Sequence, residues 1–122
     1  RYAMIPEGFR GSLGRRVALI RPNTTRVNSD YLYYYLLSPQ WRRVVEQRIN
    51  IGSTVDRIPL TEFPSFPLSI APRSAQKAIA QVLRNFDRLI ENNRRRIEIL
   101  EEMARLIYRE WFVHFRFPGH ED

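Results

Sequence analysis

The chain has 122 residues, no cysteine and a formal charge of +7 from 20 Lys and Arg against 13 Asp and Glu. The lack of cysteine excludes a disulfide framework and a thiolate metal site within this sequence. No apolar run approaches the roughly 18 residues of a membrane span. Because the sequence begins at Arg1 with no signal-like segment, we interpret it as a fragment of a longer protein.

The positive charge is concentrated in the first part of the sequence. Residues 1–72 carry ten Arg and five acidic residues, whereas residues 73–122 carry ten basic and eight acidic residues. Nineteen of the twenty cations are Arg, whose planar guanidinium matches phosphate groups and the guanine edge. This composition favours nucleic acid as a partner of the first part, although an Arg-preferring genome explains it equally well.

Two short segments of the first 72 residues predict β-strands. Arg16–Ile20 is a β-favouring run after the loop of residues 11–14, and Phe66–Ile70 is a second run in a stretch interrupted by prolines. With two helices between these strands, the fold class predicted is α+β. The lobe would be a small mixed α/β domain attached to one long helix.

The two helices of this lobe are predicted from their caps. The first covers residues 31–37 and takes its N-cap from residues 28–30. The second covers residues 40–49, because Ser38 and Pro39 form a pair of N-cap and first helical residue. Its apolar side consists of Trp41, Val44 and Val45.

The 45 residues from Arg73 to Phe117 contain neither Pro nor Gly and predict one long helix that starts at Ser74. Apolar residues recur at alternating spacings of three and four, the pattern of a helix that packs along another helix. About 38 helical residues would extend on the order of 55 Å. The predicted packing residues are Ile79, Leu83, Phe86, Ile90, Asn93, Ile97, Leu100, Ala104, Ile107 and Trp111. Their partner is either a second copy of this chain or a helix elsewhere in a longer polypeptide.

The motifs do not favour an enzyme. The only lysine, Lys77, follows Gln76, so the Gly-Lys pair of a P-loop is missing. The Asn- or Asp-Pro-Pro-aromatic loop of amino-methyltransferases is also missing. His114 and His120 have no cysteine and few carboxylates near them in sequence, so we expect no metal site and no catalytic residue in this chain.

The order of several short motifs resembles the DNA specificity subunit of Type I restriction-modification systems. The motifs are Gly-Ser-Leu-Gly-Arg-Arg-Val-Ala over residues 11–18, Asp-Tyr-Leu-Tyr-Tyr-Tyr-Leu-Leu-Ser over 30–38, Gly-Ser-Thr-Val-Asp-Arg-Ile over 52–58, Phe-Pro-Leu-Ser-Ile-Ala-Pro over 66–72, and Gln76 followed by Ile79-Ala80, Leu83 and Phe86-Asp87. Residues 108–119 are similar to the end of the spacer helix in one subgroup. Ala75 stands where the family usually has Glu, which leaves the local helix cap to Ser74.

The resemblance implies a non-catalytic subunit in which paired spacer helices hold two recognition domains apart, each reading one half of a split DNA site. Methyltransferase subunits would bind the helices, and an endonuclease subunit would join that complex. S-adenosylmethionine, Mg and ATP would serve those partner subunits, with no cofactor in this chain. The protein would be cytoplasmic, in a prokaryote.

The resemblance also suggests domain boundaries. Residues 1–72 would be part of a target recognition domain, residues 73–117 the spacer helix and residues 118–122 a tail or linker. The second helix would belong to the same longer chain or to a second copy. The rival interpretation is a homodimerising coiled-coil assembly module whose basic surface is incidental, and a weaker one is an RNA-binding regulator.

Two loops that contain glycine are predicted to contact DNA. Glycine lets the backbone approach phosphates closely, and Arg can then reach a base edge. The candidates are Arg10, Ser12, Arg15 and Arg16 in the first loop and Ser53, Thr54 and Arg57 in the second. For any single one of these residues, an ordinary solvated loop is an equally good interpretation.

Two further groups of residues have an alternative to DNA contact, and a third predicts a docking surface. Tyr31 and residues 33–35 could stack on unpaired bases, but their helical spacing favours a core with a half-exposed rim. Residues 94–96, all Arg, are better explained by charge pairing with a facing helix. The aromatic residues at the end of the long helix predict a docking surface for another subunit or domain. They are Trp111, Phe112, Phe115 and Phe117.

Overall fold

The computed structural model of the protein describes residues 2–15, 17–48 and 58–119. Helix α1 covers Ser29–Leu37, α2 covers Pro39–Glu46, a 3₁₀ turn covers Phe63–Ser65, and α3 covers Arg73–Tyr108 and continues as a π-helical turn over Arg109–Val113. The chain divides into two compact units, Arg1–Leu83 and Arg84–Asp122. The domain boundaries at residues 72/73 and 117/118 stay a prediction. None of the described helices is long and apolar enough to cross a membrane.

The described residues contain helices and irregular backbone but no β-strand. The prediction of an α+β lobe is therefore wrong for the described part of the chain, whereas the predicted long helix is present. Both predicted strands, residues 16–20 and Phe66–Ile70, were inferred from local β-preference. Local preference does not reveal whether a neighbouring strand exists to accept the ladder hydrogen bonds.

The second predicted strand is replaced by an extended segment that is held by tyrosine hydroxyls. The backbone N–H of Ser69 donates to the Tyr35 hydroxyl over 3.1 Å, and the N–H of Ala71 donates to the Tyr31 hydroxyl over 2.8 Å. Pro67 has no backbone N–H to offer. Two backbone donors of this segment, at Ser69 and Ala71, therefore bind side chains of α1 where a strand would bind a neighbouring strand.

The first predicted strand is an irregular segment in which residues 17–19 are exposed and Ile20 is partly buried against the core, and Arg16 lies outside the described residues. The N–H of Val17 donates to the carbonyl of Gly14 over 3.1 Å, which closes a turn at the start of this segment. Val17 and Leu19 remain exposed rather than packed on a core. A β-favouring composition with one core-facing residue, Ile20, and no neighbouring strand among the described residues does not produce a strand.

The caps of the first two helices confirm the prediction from sequence. The Asn28 side-chain oxygen accepts from the N–H of Tyr31 over 2.9 Å, and the Ser38 hydroxyl accepts from the N–H of Trp41 over 3.2 Å. Pro39 is the first helical residue of α2. This helix ends at Glu46, earlier than predicted, and residue 49 lies outside the described residues.

The core of the first unit is small and aromatic. Trp41 is 2% exposed, and its indole N–H donates to the Tyr2 hydroxyl over 2.7 Å. Its ring packs edge-on against Phe63 at 5.9 Å between centroids. The buried hydrophobic residues are Val27, Tyr31, Leu32, Tyr35, Leu36, Trp41, Phe66 and Ala80. The tyrosine cluster is thus core with a half-buried rim at Tyr33 and Tyr34, as the spacing predicted.

The capping of the long helix and its end differ from the prediction. Helix α3 begins at Arg73, so Ser74 lies inside its first turn and is not its N-cap. At the other end the helical backbone stops at Val113 instead of Phe117. Phe115 adopts a left-handed conformation with φ of 54°, and the N–H of Arg116 then donates to the carbonyl of Glu110 over 2.8 Å. A left-handed residue after the last turn ends a helix because it redirects the chain and satisfies free carbonyls.

Candidate functional site

The first candidate surface is the basic loop that contains Arg10, Ser12 and Arg15. All three residues are exposed on irregular backbone. The loop is entered through a turn in which the N–H of Phe9 donates to the carbonyl of Pro6 over 3.2 Å. Gly11 follows, and a Cβ there would lie 2.8 Å from the Phe9 ring, so a larger residue would require this exposed ring to move. The glycine therefore lets the backbone pass closely over an aromatic side chain.

The cations of this loop are not neutralised by the described part of the chain. Neither Arg10 nor Arg15 makes a hydrogen bond or ion pair there. An exposed guanidinium without an acidic partner can bind a phosphate bidentately or donate to a guanine edge. The other predicted DNA contacts, Arg16 and residues 53, 54 and 57, lie outside the described residues. The assignment of DNA contacts to all of these residues stays a prediction.

Other cations of the first unit divide into exposed and packed ones. Arg42 and Arg43 are exposed on α2. Arg48 instead lies over the Phe66 ring, with its guanidinium carbon 5.2 Å from the ring centroid. Arg73 donates to the carbonyl of Thr24 over 2.9 Å. Arg48 and Arg73 thus make contacts within the first unit, whereas Arg42 and Arg43 are exposed cations of α2.

The second candidate surface is the apolar face of α3. The apolar residues predicted to pack are all exposed, from 37% at Leu83 to 60% at Leu100. Asn93 and Ala104, at the same heptad positions, are exposed as well. An isolated soluble helix rarely presents a continuous apolar stripe to water, so this face has the composition of a packing interface. The assignment of each residue to an interface stays a prediction.

The charges along the second unit are distributed unevenly. Residues 84–96 carry five Arg, one Asp and one Glu, whereas residues 97–113 carry four Glu and two Arg. Arg105 lies 3.9 Å from Glu101 and 3.8 Å from Glu102, and these side chains are more than 60% exposed. Exposed ion pairs at such distances contribute little stability, so these acids remain able to pair with another helix.

The end of the second unit carries the predicted aromatic cluster. Tyr108 and Phe112 lie 5.2 Å apart between ring centroids, and Trp111 is 41% exposed. The turn after the π-helical residues is fixed by an ion pair between Arg116 and Glu110 at 3.1 Å. The aromatic residues are therefore presented to solvent on a defined turn.

A group of buried polar contacts was not predicted from the sequence. Gln76 is only 1% exposed, and its carboxamide bonds to Asn28 and Ala71. The sequence offered one signal, since Gln76 was part of the motif series that suggested the family. Its partners were not predictable, because Asn28 lies 48 residues away in the chain.

The described residues contain no group of three His, Cys, Asp or Glu side chains that could hold a metal ion. An open cleft of about 460 Å³ lies beside Trp41 in the first unit. Its charged lining residues are Arg42 and Glu46, and the rest of its lining is largely apolar. We assign no ligand to this cleft.

Comparison with known proteins identifies one matching family. The model of a family described as Type I restriction modification DNA specificity domain matches residues 1–102. The MjaIX specificity subunit of a Type I restriction enzyme from Methanocaldococcus jannaschii is 33% identical over 89 residues, which is 73% of this chain and 20% of that protein. A putative MjaX specificity subunit from the same organism is 26% identical over 113 residues, or 88% of this chain and 27% of that protein.

A bacterial protein shows a similar level of likeness. The HindI specificity subunit of Haemophilus influenzae is 27% identical over 101 residues, which is 80% of this chain and 21% of that protein. The chain thus spans about a fifth to a quarter of the length of these relatives. No solved structure matches the chain.

Proposed function

This chain belongs to the family of Type I restriction modification DNA specificity domains, and we propose that it is part of a non-catalytic subunit that recognises DNA sequence. In this proposal the lobe reads one half of a split DNA site, and α3 docks methyltransferase subunits and a second spacer helix. Family membership is the observation that carries the proposal. The basic loop and the exposed face of α3 supply the two surfaces that such a subunit needs.

The DNA-reading role is supported by the charge and exposure of the lobe. Residues 1–72 have twice as many Arg as acidic residues, and no lysine. Phosphate contacts would position the lobe, whereas Arg contacts to base edges would give it sequence preference. Arg10 and Arg15 are suited to either role because they are exposed and make no ion pair within the described chain.

The assembly role is supported by the face of α3. Two or more helices are needed to bury a stripe that runs from Ile79 to Trp111. Residues 84–96 have a positive balance and residues 97–113 a negative one, so an antiparallel partner helix of similar charge would place opposite charges together. Methyltransferase subunits would cover apolar surface that a single second helix leaves open. S-adenosylmethionine, Mg and ATP would act in those partner subunits and in the endonuclease subunit, within the cytoplasm of a prokaryote.

A homodimeric assembly module is the second candidate, and one feature of the second unit favours it. When two copies of residues 84–113 are set antiparallel with Ile97 opposite Leu100, Asn93 meets the small Ala104. The same alignment brings Arg94 beside Glu101 of the other copy, twice by symmetry. A shift of seven residues in one direction would place the Arg94 side chains of the two copies side by side. A shift of seven residues in the other direction would do the same for the two Glu101 side chains. The helix is therefore complementary to itself in this antiparallel alignment.

Selection of bound duplexes from a random-sequence library tests the proposed function. The protein would be the full-length subunit that carries this segment, assembled with its methyltransferase subunits at moderate salt. We expect enrichment of a short defined half-site, lost when Arg10 and Arg15 are both replaced by Ala and retained in the control Arg105→Ala. Binding without enrichment would reject DNA sequence recognition and favour the assembly module. Competition by single-stranded RNA in the same assay would reveal an RNA-binding role.

A further inference from the structure

A buried polar junction connects α1, the segment before α3, and the first turns of α3. We define it as Asn28, Tyr31, Tyr35, residues 69–71 and Gln76. We propose that Gln76 is a positioning residue, which fixes the direction of the first turns of α3 on the lobe and so restricts the spacing between the two DNA half-sites. This inference rests on the proposed function, because a spacing exists only if two half-sites are read.

Both the oxygen and the nitrogen of the Gln76 carboxamide form hydrogen bonds. Its oxygen accepts from the N–H of Asn28 over 2.8 Å, and its nitrogen donates to the carbonyl of Ala71 over 2.9 Å. Asn28 is also the N-cap of α1. One side chain of α3 thus binds the beginning of α1 and the segment that leads into α3. Apart from the aromatic residues, Gln76 is the one buried polar side chain among the described residues.

Two further hydrogen bonds hold the same junction, and a third lies beside it. The hydroxyls of Tyr31 and Tyr35 accept from the backbone of Ala71 and Ser69, over 2.8 Å and 3.1 Å. The guanidinium of Arg73 donates to the carbonyl of Thr24 over 2.9 Å. All of these bonds join residues more than 30 positions apart in sequence. They are therefore tertiary contacts that define how α3 starts, not local turns.

Apolar packing at this junction is limited. Gln76 and Ala80 are the only buried residues of α3. A single methyl group can slide on an apolar surface at small cost, whereas a carboxamide with two fixed partners accepts a narrow range of directions. Directional hydrogen bonds, more than buried apolar area, consequently determine the orientation of the first turns of α3 within the first unit.

The orientation of α3 on the lobe matters because a change in the spacing between two half-sites also rotates one half-site around the duplex. Adding one base pair between two half-sites moves them about 3.4 Å apart and turns one about 35° around the duplex. A lobe held rigidly on its spacer helix accepts one such arrangement. A lobe whose junction is loosened would tolerate neighbouring spacings with less penalty, while its contacts to the half-site itself stay the same.

The test measures spacing preference separately from half-site recognition. The full-length subunit, assembled with its methyltransferase subunits, is titrated with duplexes that carry the selected half-sites at the preferred spacing and at one base pair more or less. We compare Gln76→Leu with the matched control Gln81→Leu, since Gln81 is an exposed residue of the same helix. For Gln76→Leu the affinity ratio between preferred and altered spacing should fall at least about fivefold, as loss of two partly buried hydrogen bonds predicts. The control should keep the ratio of the unmodified protein.

Different failures are distinguishable in this assay. A Gln76→Leu protein with lowered thermal stability but an unchanged spacing ratio would show that Gln76 only stabilises the fold, and would overturn the inference. If Gln76→Leu does not fold, Tyr31→Phe decides, because it removes one junction bond and keeps the ring. A reduced ratio for Tyr31→Phe, against Tyr33→Phe as control, supports the inference, and an unchanged ratio overturns it. Absence of half-site preference in the unmodified protein would reject the proposed function instead.

Discussion

Replacing Tyr2 by Phe should destabilise the first unit through Trp41. The Tyr2 hydroxyl is the acceptor for the Trp41 indole N–H at 2.7 Å, and Trp41 is 2% exposed. The replacement keeps the Tyr2 ring but leaves a buried donor without a partner, which costs about 1–3 kcal/mol. Water has little access to the indole, so the cost should exceed that of removing a hydroxyl at the surface.

Urea unfolding measures this effect when it is followed by the fluorescence of Trp41 alone. The chain has two tryptophans, so the background substitution Trp111→Phe isolates the signal. Tyr2→Phe should lower the unfolding midpoint with an unchanged slope, because the surface exposed on unfolding is the same. The control is Tyr33→Phe, which removes the hydroxyl of a half-buried tyrosine. This hydroxyl makes no hydrogen bond among the described residues, so the control should change stability by less than about 0.5 kcal/mol. Equal midpoints for Tyr2→Phe and the unmodified protein would refute the reasoning that this indole depends on Tyr2.

Three other changes have defined outcomes. Asn28→Ala removes the side-chain cap of α1 and should lower stability by about 1 kcal/mol in the same urea assay, while Asn23→Ala should have a smaller effect. In the antiparallel alignment Arg94 lies beside Glu101 of the other copy, so Arg94→Glu should raise the dissociation constant of the homodimer about three- to tenfold in sedimentation equilibrium. Adding Glu101→Arg should restore the dissociation constant. Arg10→Ala should reduce the slope of log binding constant against log salt by about one, with no change if that side chain never reaches a phosphate.

The parts of the fold that follow from neighbouring residues were predictable. The N-cap of α2 at Ser38 with Pro39 after it, and the apolar repeat of α3, are both readable from a few adjacent positions. The extended segment before α3 was misassigned as a strand because its hydrogen-bond partners, the hydroxyls of Tyr31 and Tyr35, lie 34 to 40 residues away. Local preference specifies an extended backbone but not what pairs with it.

The same distinction applies to the candidate site. Composition placed an Arg-rich surface in residues 1–72, and heptad spacing placed an apolar face on α3, since both signals are local in sequence. The buried role of Gln76 depends on tertiary contacts, and no periodicity reveals it. The early end of the helical backbone also escaped prediction, because the residues up to Phe117 contain no Pro or Gly that would mark a stop.

The central claim is that the lobe distinguishes DNA sequences. The most direct measurement compares the dissociation constants of the assembled full-length protein for a selected duplex and for a duplex with the half-sites scrambled, at one fixed salt concentration. We predict that the scrambled duplex binds at least about a thousandfold more weakly, the usual margin of specific over non-specific DNA binding. Equal dissociation constants would contradict it, and would leave α3 as an assembly element beside a surface that attracts DNA only through charge.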